Sequence, residues 1–220
     1  MKRVVVFGNG QMAEIAHVYL AHDSPYEVVA FCVDKDHLQG DRYRGLPLIA
    51  FEDIERAYPP GDCAMFIPIG AKRVNHLRAE KYCQAKGKGY GFISYVSSKA
   101  IVCPETNIGE NCFILENNVI QPFATIGNNV ILWSGNHIGH HSVIMDHCFL
   151  TSHVVVCGRV TVESYSYLGV NSTVRDGLTI RESSVIGAGA LLMRDTEPGQ
   201  VYVGLPAKRH SLPSKSVDVF

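Results

Sequence analysis

Ten histidines occupy this 220-residue chain, and five of them, His137, His140, His141, His147 and His153, fall between positions 137 and 153. Imidazole titrates near neutrality, so such a cluster offers two chemistries: metal binding or proton transfer. Metal binding needs several donors converging on one ion. Proton transfer needs only one well-placed ring. His140 follows Gly139, whose missing side chain leaves an approach open. It could take a proton from an amine or hydroxyl while that group attacks an acyl carbon, with His141 or Asp146 to orient it. A second group of residues lies near the N-terminus: Gly8, Asn9, Gly10 and Gln11, then Asp34 and Lys35, then Gly70. Gly8 and Gly10 let a ligand approach the backbone closely, and a helix starting after them favours an anion such as a pyrophosphate. GNGQMA carries the first two glycines of a dinucleotide fingerprint, with Ala13 at the third position.

The elements that must hold these residues differ along the chain. From Val102 to Leu192 every sixth residue is aliphatic, sixteen positions without a gap, among them Ile120, Ile138, Val156, Val174 and Leu192. Four residues after most of them comes a small one, such as Cys112, Ala124, Ser142, Cys148, Ser166 or Ala190. Neither a helix nor a simple strand has this period. A hexapeptide repeat specifies a parallel β-helix, each unit making one side of a three-sided prism. Residues 18 apart then stack in columns. His141, His147 and His153 fall on three different sides and cannot meet at one ion, so no metal is expected within one chain. His140 shares a column with Pro122, Gly158 and Asp176, and Gly158 should leave an open notch beside the imidazole.

Residues before about 90 read otherwise. Lys2–Phe7, Tyr26–Val33 and Cys63–Ile69 are apolar runs of buried parallel strands, and the segments after Gly10 and over 74–86 read as helices. Phe92–Ser94 reads as a last short strand. Alternation of this kind gives a small Rossmann-like α/β sheet, whose ligands sit beyond the strand carboxyl ends. The expected division is 1–95 (nucleotide-binding α/β domain), 96–198 (β-helix) and 199–220 (tail), a mainly β protein with an α/β N-terminal domain. The first domain is too short for a full dinucleotide fold, so one nucleotide, such as that of a nucleotide-sugar, fits better. A net charge of −1 leaves no footprint for nucleic acid or an anionic membrane. No apolar run is long enough to span a bilayer, and MKRVVVFGNG reads as a strand, not a signal peptide. Seven cysteines without a CxxC pair read as reduced, buried filler in a cytoplasmic protein.

Taken together, the GxGxxA-type βαβ segment, the unbroken hexapeptides and the GLPAK tail resemble the bacterial sugar O-acyltransferases of the sialic-acid O-acetyltransferase type. That family includes N-acetyltransferases acting on UDP-, dTDP- or GDP-linked 4-amino-4,6-dideoxy sugars. The resemblance runs from Val4 to about Lys208. It implies a left-handed helix, a homotrimer, and acetyl-CoA as co-substrate in the groove between neighbouring helices. It makes His140, in the hexad Ile138-Gly139-His140-His141, the general base; His141 stands where many members carry Asp or Glu. It places nucleotide contacts at Gly8–Gln11, Asp34, Lys35 and Gly70, and coenzyme contacts at Gly158, Val170, Ala188 and Pro206. The alternatives are O-acetylation of a sugar hydroxyl, as with sialic acid, and a trimeric β-helix that binds metal or serves as a scaffold.

Overall fold

A computed structural model describes residues 2–205 and 208–216. The chain begins with β1 (Lys2–Phe7), α1 (Gln11–His22), β2 (Tyr26–Val33), β3 (Arg42–Tyr43), β4 (Leu46–Ala50), α2 (Ile54–Ala57), β5 (Ala64–Phe66) and α3 (His76–Gly87). The sheet order is β3-β4-β2-β1-β5, with only β3 antiparallel. Val4, Val5 and Val6 are fully buried at its centre, as expected of a parallel strand covered on both faces. Two expectations need correction here. The helix begins at His76, because Arg73, Val74 and Asn75 all have positive φ (54°, 50° and 66°) and cannot be helical. Phe92 makes only an isolated bridge to Met65, and the first strand of the prism is Tyr95–Val96.

From there the chain is a left-handed parallel β-helix. Its first face runs through the strands Ile101–Val102, Val119–Ile120, His137–Ile138, Val155–Val156, Thr173–Val174 and Leu191–Leu192. The second holds Asn107–Ile108, Thr125–Ile126, Val143–Ile144, Thr161–Val162 and Thr179–Ile180. The third starts at Tyr95–Val96 and continues through Phe113–Ile114, Ile131–Leu132, Phe149–Leu150, Tyr167–Leu168, Val185–Ile186 and Gln200–Val203, so this face extends past residue 198. Each residue pairs with the one 18 further on, as Val119 does with His137. Ile138, Val156, Val174 and Ile186 are fully buried inside, and Cys112, Ser142, Cys148 and Ser166 fill the inner corners beside them. The chain turns each corner in the left-handed region: from Asn111 to Gly189 every sixth residue has positive φ. The burial of an aliphatic side chain per side, about 1.5–3 kcal/mol each, offsets the roughly 1–2 kcal/mol that a left-handed non-glycine residue costs.

The middle of the third face is covered, while Val96 and Val203 at its two ends stay exposed. Its outward residues Phe113, Ile131, Phe149, Tyr167 and Val185 are buried in one cluster with Val4, Val6, Leu20 and Phe66 of the first domain. Phe66 packs edge-on against Phe113, ring centroids 5.3 Å apart. The small domain therefore sits on the face opposite the edge that joins the first and second faces.

Candidate active site

His140 stands on that opposite edge, exposed, with its backbone fixed on both sides. Its N–H donates to Gln121 Oε1 at 2.9 Å, and its carbonyl accepts from the Arg159 N–H at 2.9 Å. The ring lies over Gly158: a Cβ there would fall 2.7 Å from both Cε1 and Nε2. The notch expected at Gly158 is thus not open; the imidazole itself fills it. Gly139 also has a different task from the one expected. A Cβ at Gly139 would lie 2.5 Å from the Cys157 carbonyl carbon, so its glycine lets two coils stack rather than a ligand approach.

His140 Nδ1 is 3.1 Å from His141 Nδ1. One of the two nitrogens must carry a hydrogen and the other a lone pair. When His140 holds the Nδ1 hydrogen, its Nε2 over Gly158 is a free base, and His141 acts as the acceptor that orients it. His141 is held in turn by its left-handed backbone (φ 57°) and by the exposed ring of Phe123, 4.9 Å away. Asp146 does not take part: it accepts from the Asn128 N–H at 2.7 Å, on another edge. The remaining histidines are dispersed. His153 packs over Gly135, while His147 is buried and bonds to Asn129 at 2.8 Å. Among the described residues no group of three or more His, Cys, Asp or Glu could hold a metal ion.

The glycine turn follows β1 and Asp34-Lys35 follows β2, Gly70 lies four residues beyond the end of β5, and these three strands are neighbours in the sheet. Gly8 has φ 118° and donates to Cys32 O at 2.7 Å, which joins the turn to β2. Gly10 caps α1 without a side chain, and a Cβ there would meet nothing within 4 Å. Asn9 reaches the His37 carbonyl at 3.5 Å, while Gln11 is exposed at the first turn of α1. Asp34 is paired with Lys81 at 2.7 Å, and the Lys35 N–H donates to Glu52 at 3.0 Å. Burial pushes the Glu52 carboxyl up, but amide hydrogen bonds together with the Lys81 and Lys35 charges hold the group below its usual range. Sequence reasoning missed Lys81, Glu52 and Tyr43, whose hydroxyl approaches the Gly10 carbonyl at 3.5 Å. None belongs to a recognisable motif.

The expected coenzyme residues do not converge within one chain. Gly158 shares the His140 edge. Val170 and Ala188 lie on the edge between the third and first faces, stacked through the Gly189 N–H to Val170 O bond of 2.7 Å. Pro206 lies outside the described residues. Of the cysteines, Cys32, Cys63, Cys112 and Cys148 are buried filler, but Cys83 is exposed and Cys103 and Cys157 are half-buried. All seven are free thiols.

Residues 105–140 and 123–158 match the sequence model described as bacterial transferase hexapeptide (six repeats). An acyl-(acyl-carrier-protein)–UDP-N-acetylglucosamine O-acyltransferase from Pseudomonas aeruginosa is 31% identical over 114 residues, which is 51% of this chain and 44% of that protein. The chain spans less than half the length of the first curated relatives it matches. The perosamine N-acetyltransferase of Caulobacter crescentus, solved as a histidine-to-asparagine mutant with CoA and GDP-perosamine, superposes with a TM-score of 0.82 at 22% identity. That match covers 96% of this chain and 98% of the other. The acetyltransferase domain of PglB from Neisseria gonorrhoeae gives 0.84 at 19% identity, over 96% and 100%. The chain shares their fold. Both the α/β domain and the β-helix are included in these matches, so the tandem order extends to a perosamine N-acetyltransferase and to an acetyltransferase domain.

Proposed function

We propose that this protein is an acetyl-CoA-dependent N-acetyltransferase acting on a nucleotide-linked 4-amino-4,6-dideoxy sugar. The observation that carries the reading is His140, exposed on a prism edge, oriented through Nδ1 by His141 and seated on Gly158. The matched structures add support, since the Caulobacter protein was solved with CoA and a GDP-linked amino sugar.

In this mechanism the neutral amine attacks the thioester carbonyl directly, with no covalent enzyme intermediate. His140 Nε2 takes the amine proton as the C–N bond forms; the C–S bond then breaks, and the imidazolium returns a proton to the departing thiolate. The products are the amide and free CoA. Placing the two substrates together supplies much of the acceleration, and the proton transfer adds roughly 10²–10⁴-fold.

Separation of the site residues on two prism edges, with the nucleotide domain on the face opposite His140, supports a homotrimer. In that assembly the His140–Gly158 edge of one chain would face the Val170–Ala188 edge or the α/β domain of the next. The glycine turn with Asp34, Lys35 and Gly70 would hold the nucleotide. The free thiols fit a reducing compartment, the cytoplasm. Release of free thiol from acetyl-CoA tests the reading, with UDP-, dTDP- and GDP-linked 4-amino sugars run beside free sialic acid. Turnover with one nucleotide amino sugar is expected; turnover with sialic acid alone would make the enzyme an O-acetyltransferase.

A further inference from the structure

The segment that carries Gly70 is fastened to the β-helix by a buried polar seam, along the edge between the second and third faces. The corner residues of that edge, Asn111, Asn129, His147 and Tyr165, stand one per coil, all at positive φ. Asn111 Oδ1 accepts from the Ile67 N–H at 2.9 Å, and its Nδ2 donates to Asn129 Oδ1 at 2.7 Å. Asn129 Nδ2 meets His147 Nδ1 at 2.8 Å. The amide direction is fixed from Ile67 upward, so His147 Nδ1 is the acceptor and remains unprotonated.

Arg78 crosses this ladder. It is completely buried, and among the described residues no carboxylate is one of its hydrogen-bond partners. Its Nε and one terminal nitrogen bind the carbonyls of Asn129, His147 and Cys148 in the β-helix, at 2.9–3.2 Å. Its other terminal nitrogen binds the carbonyls of Ile69 and Gly70, at 3.1 and 3.2 Å, and Asn75 Oδ1 at 3.1 Å. Asn75 Nδ2 donates onward to Tyr165 O at 2.9 Å and Ser166 O at 3.2 Å. The three left-handed residues Arg73, Val74 and Asn75 are held between these anchors. Backbone strain of this kind persists only where the surroundings over-determine it. A planar guanidinium is the one side chain that can satisfy so many fixed carbonyls at once.

We infer that Arg78 is a positioning residue for the nucleotide-sugar site: it and the Asn75 anchor fix the Gly70 turn relative to the β-helix that carries His140. This rests on the proposed function, and on Gly70 lying at the nucleotide. Arg78 itself is fully buried, out of reach of a ligand arriving from solvent. A turn released by about 1 Å would cost on the order of 10²-fold in turnover of a correctly bound substrate, while the coenzyme edges, built from other corners, would be untouched.

The test compares full-length wild type with Arg78→Lys and Asn75→Gly. Lysine keeps the charge but cannot span both sets of carbonyls. Glycine tolerates φ 66° and removes only the side-chain anchors, so it carries the test if Arg78→Lys does not fold. Binding of UDP, dTDP and GDP is measured by titration calorimetry, beside acetyl-CoA. The expected result is a rise of tenfold or more in Kd for the nucleotide that wild type binds, with acetyl-CoA binding within about twofold. Equal weakening of both ligands, or of neither, overturns the positioning role while leaving the acetyltransferase reading intact. Wild type that binds none of the three nucleotides overturns the reading itself and this inference with it.

Discussion

Replacing Gly158 by alanine separates chemistry from fold, because the added methyl meets a side chain and not backbone. The added Cβ would lie 2.7 Å from Cε1 and Nε2 of His140 and 3.2 Å from Cδ2. Ordinary contact begins near 3.4 Å, so the ring must retreat by about 0.7 Å or swing to another rotamer. The obstacle is a side chain with solvent on its other side, so the retreat costs about 0.5–1.5 kcal/mol of rotamer energy at most. The proposed base, however, moves by close to the distance that costs roughly 10²-fold in rate. Thiol release from acetyl-CoA at saturating acceptor should therefore fall about 10²-fold, while the melting curve followed by circular dichroism moves by only a few degrees. Undiminished turnover in Gly158→Ala would show that the ring position over Gly158 is not the reactive one, and the assignment of Nε2 as the base would fall.

Two further substitutions probe the scaffold. Gly139→Ala meets backbone instead, 2.5 Å from the Cys157 carbonyl carbon and 2.6 Å from the Gly158 nitrogen; neither can yield without parting two coils, so loss of soluble folded protein or a melting point lower by well over that of Gly158→Ala is expected, and a wild-type melting curve would contradict the stacking argument. His147 is pushed down to about 4, first by burial and then by the Arg78 charge. Its neutral form is the folded one, so the stability it confers is complete above the unfolded value near 6.5 and is lost as pH falls towards 4. The loss is about 3 kcal/mol by linkage. Chemical unfolding at fixed protein concentration between pH 7 and 4 should show it, and His147→Gln should flatten the curve; parallel curves for the two proteins would refute it.

The prism was legible in the sequence because its inward aliphatic residues are excluded from water at a fixed period, and period is what a sequence displays. The column arithmetic extended to the site: it placed Gly158 beside His140 and kept His141, His147 and His153 apart. What it did not display was conformation. Asn111, Phe123, His141, Arg159 and Tyr165 all turn corners at positive φ, yet they share no chemistry, because the corner is imposed by the coil and not by the residue. Gly139 and Gly158 looked alike as glycines near a histidine; only the distances show that one is needed by the backbone and the other by the imidazole. Arg78 and Lys81 were invisible for another reason. Within α3 they read as ordinary helical cations; the burial of Arg78 depends on two domains meeting, and the partners of Lys81, Asp34 and the Phe7 and Phe51 rings, come from distant elements of the first domain. The spread of Gly158, Val170 and Ala188 over two edges follows from the same six- and eighteen-residue registers, and it is what directs attention to a second chain.

In the proposed reaction His140 removes the amine proton during acetyl transfer. Its most direct test is single-turnover thiol release by wild type and His140→Asn with the best nucleotide-linked 4-amino sugar, acetyl-CoA binding being measured on the same samples. The rate should fall by roughly 10²–10⁴-fold in His140→Asn with coenzyme affinity preserved. Equal rates in the two proteins would contradict it.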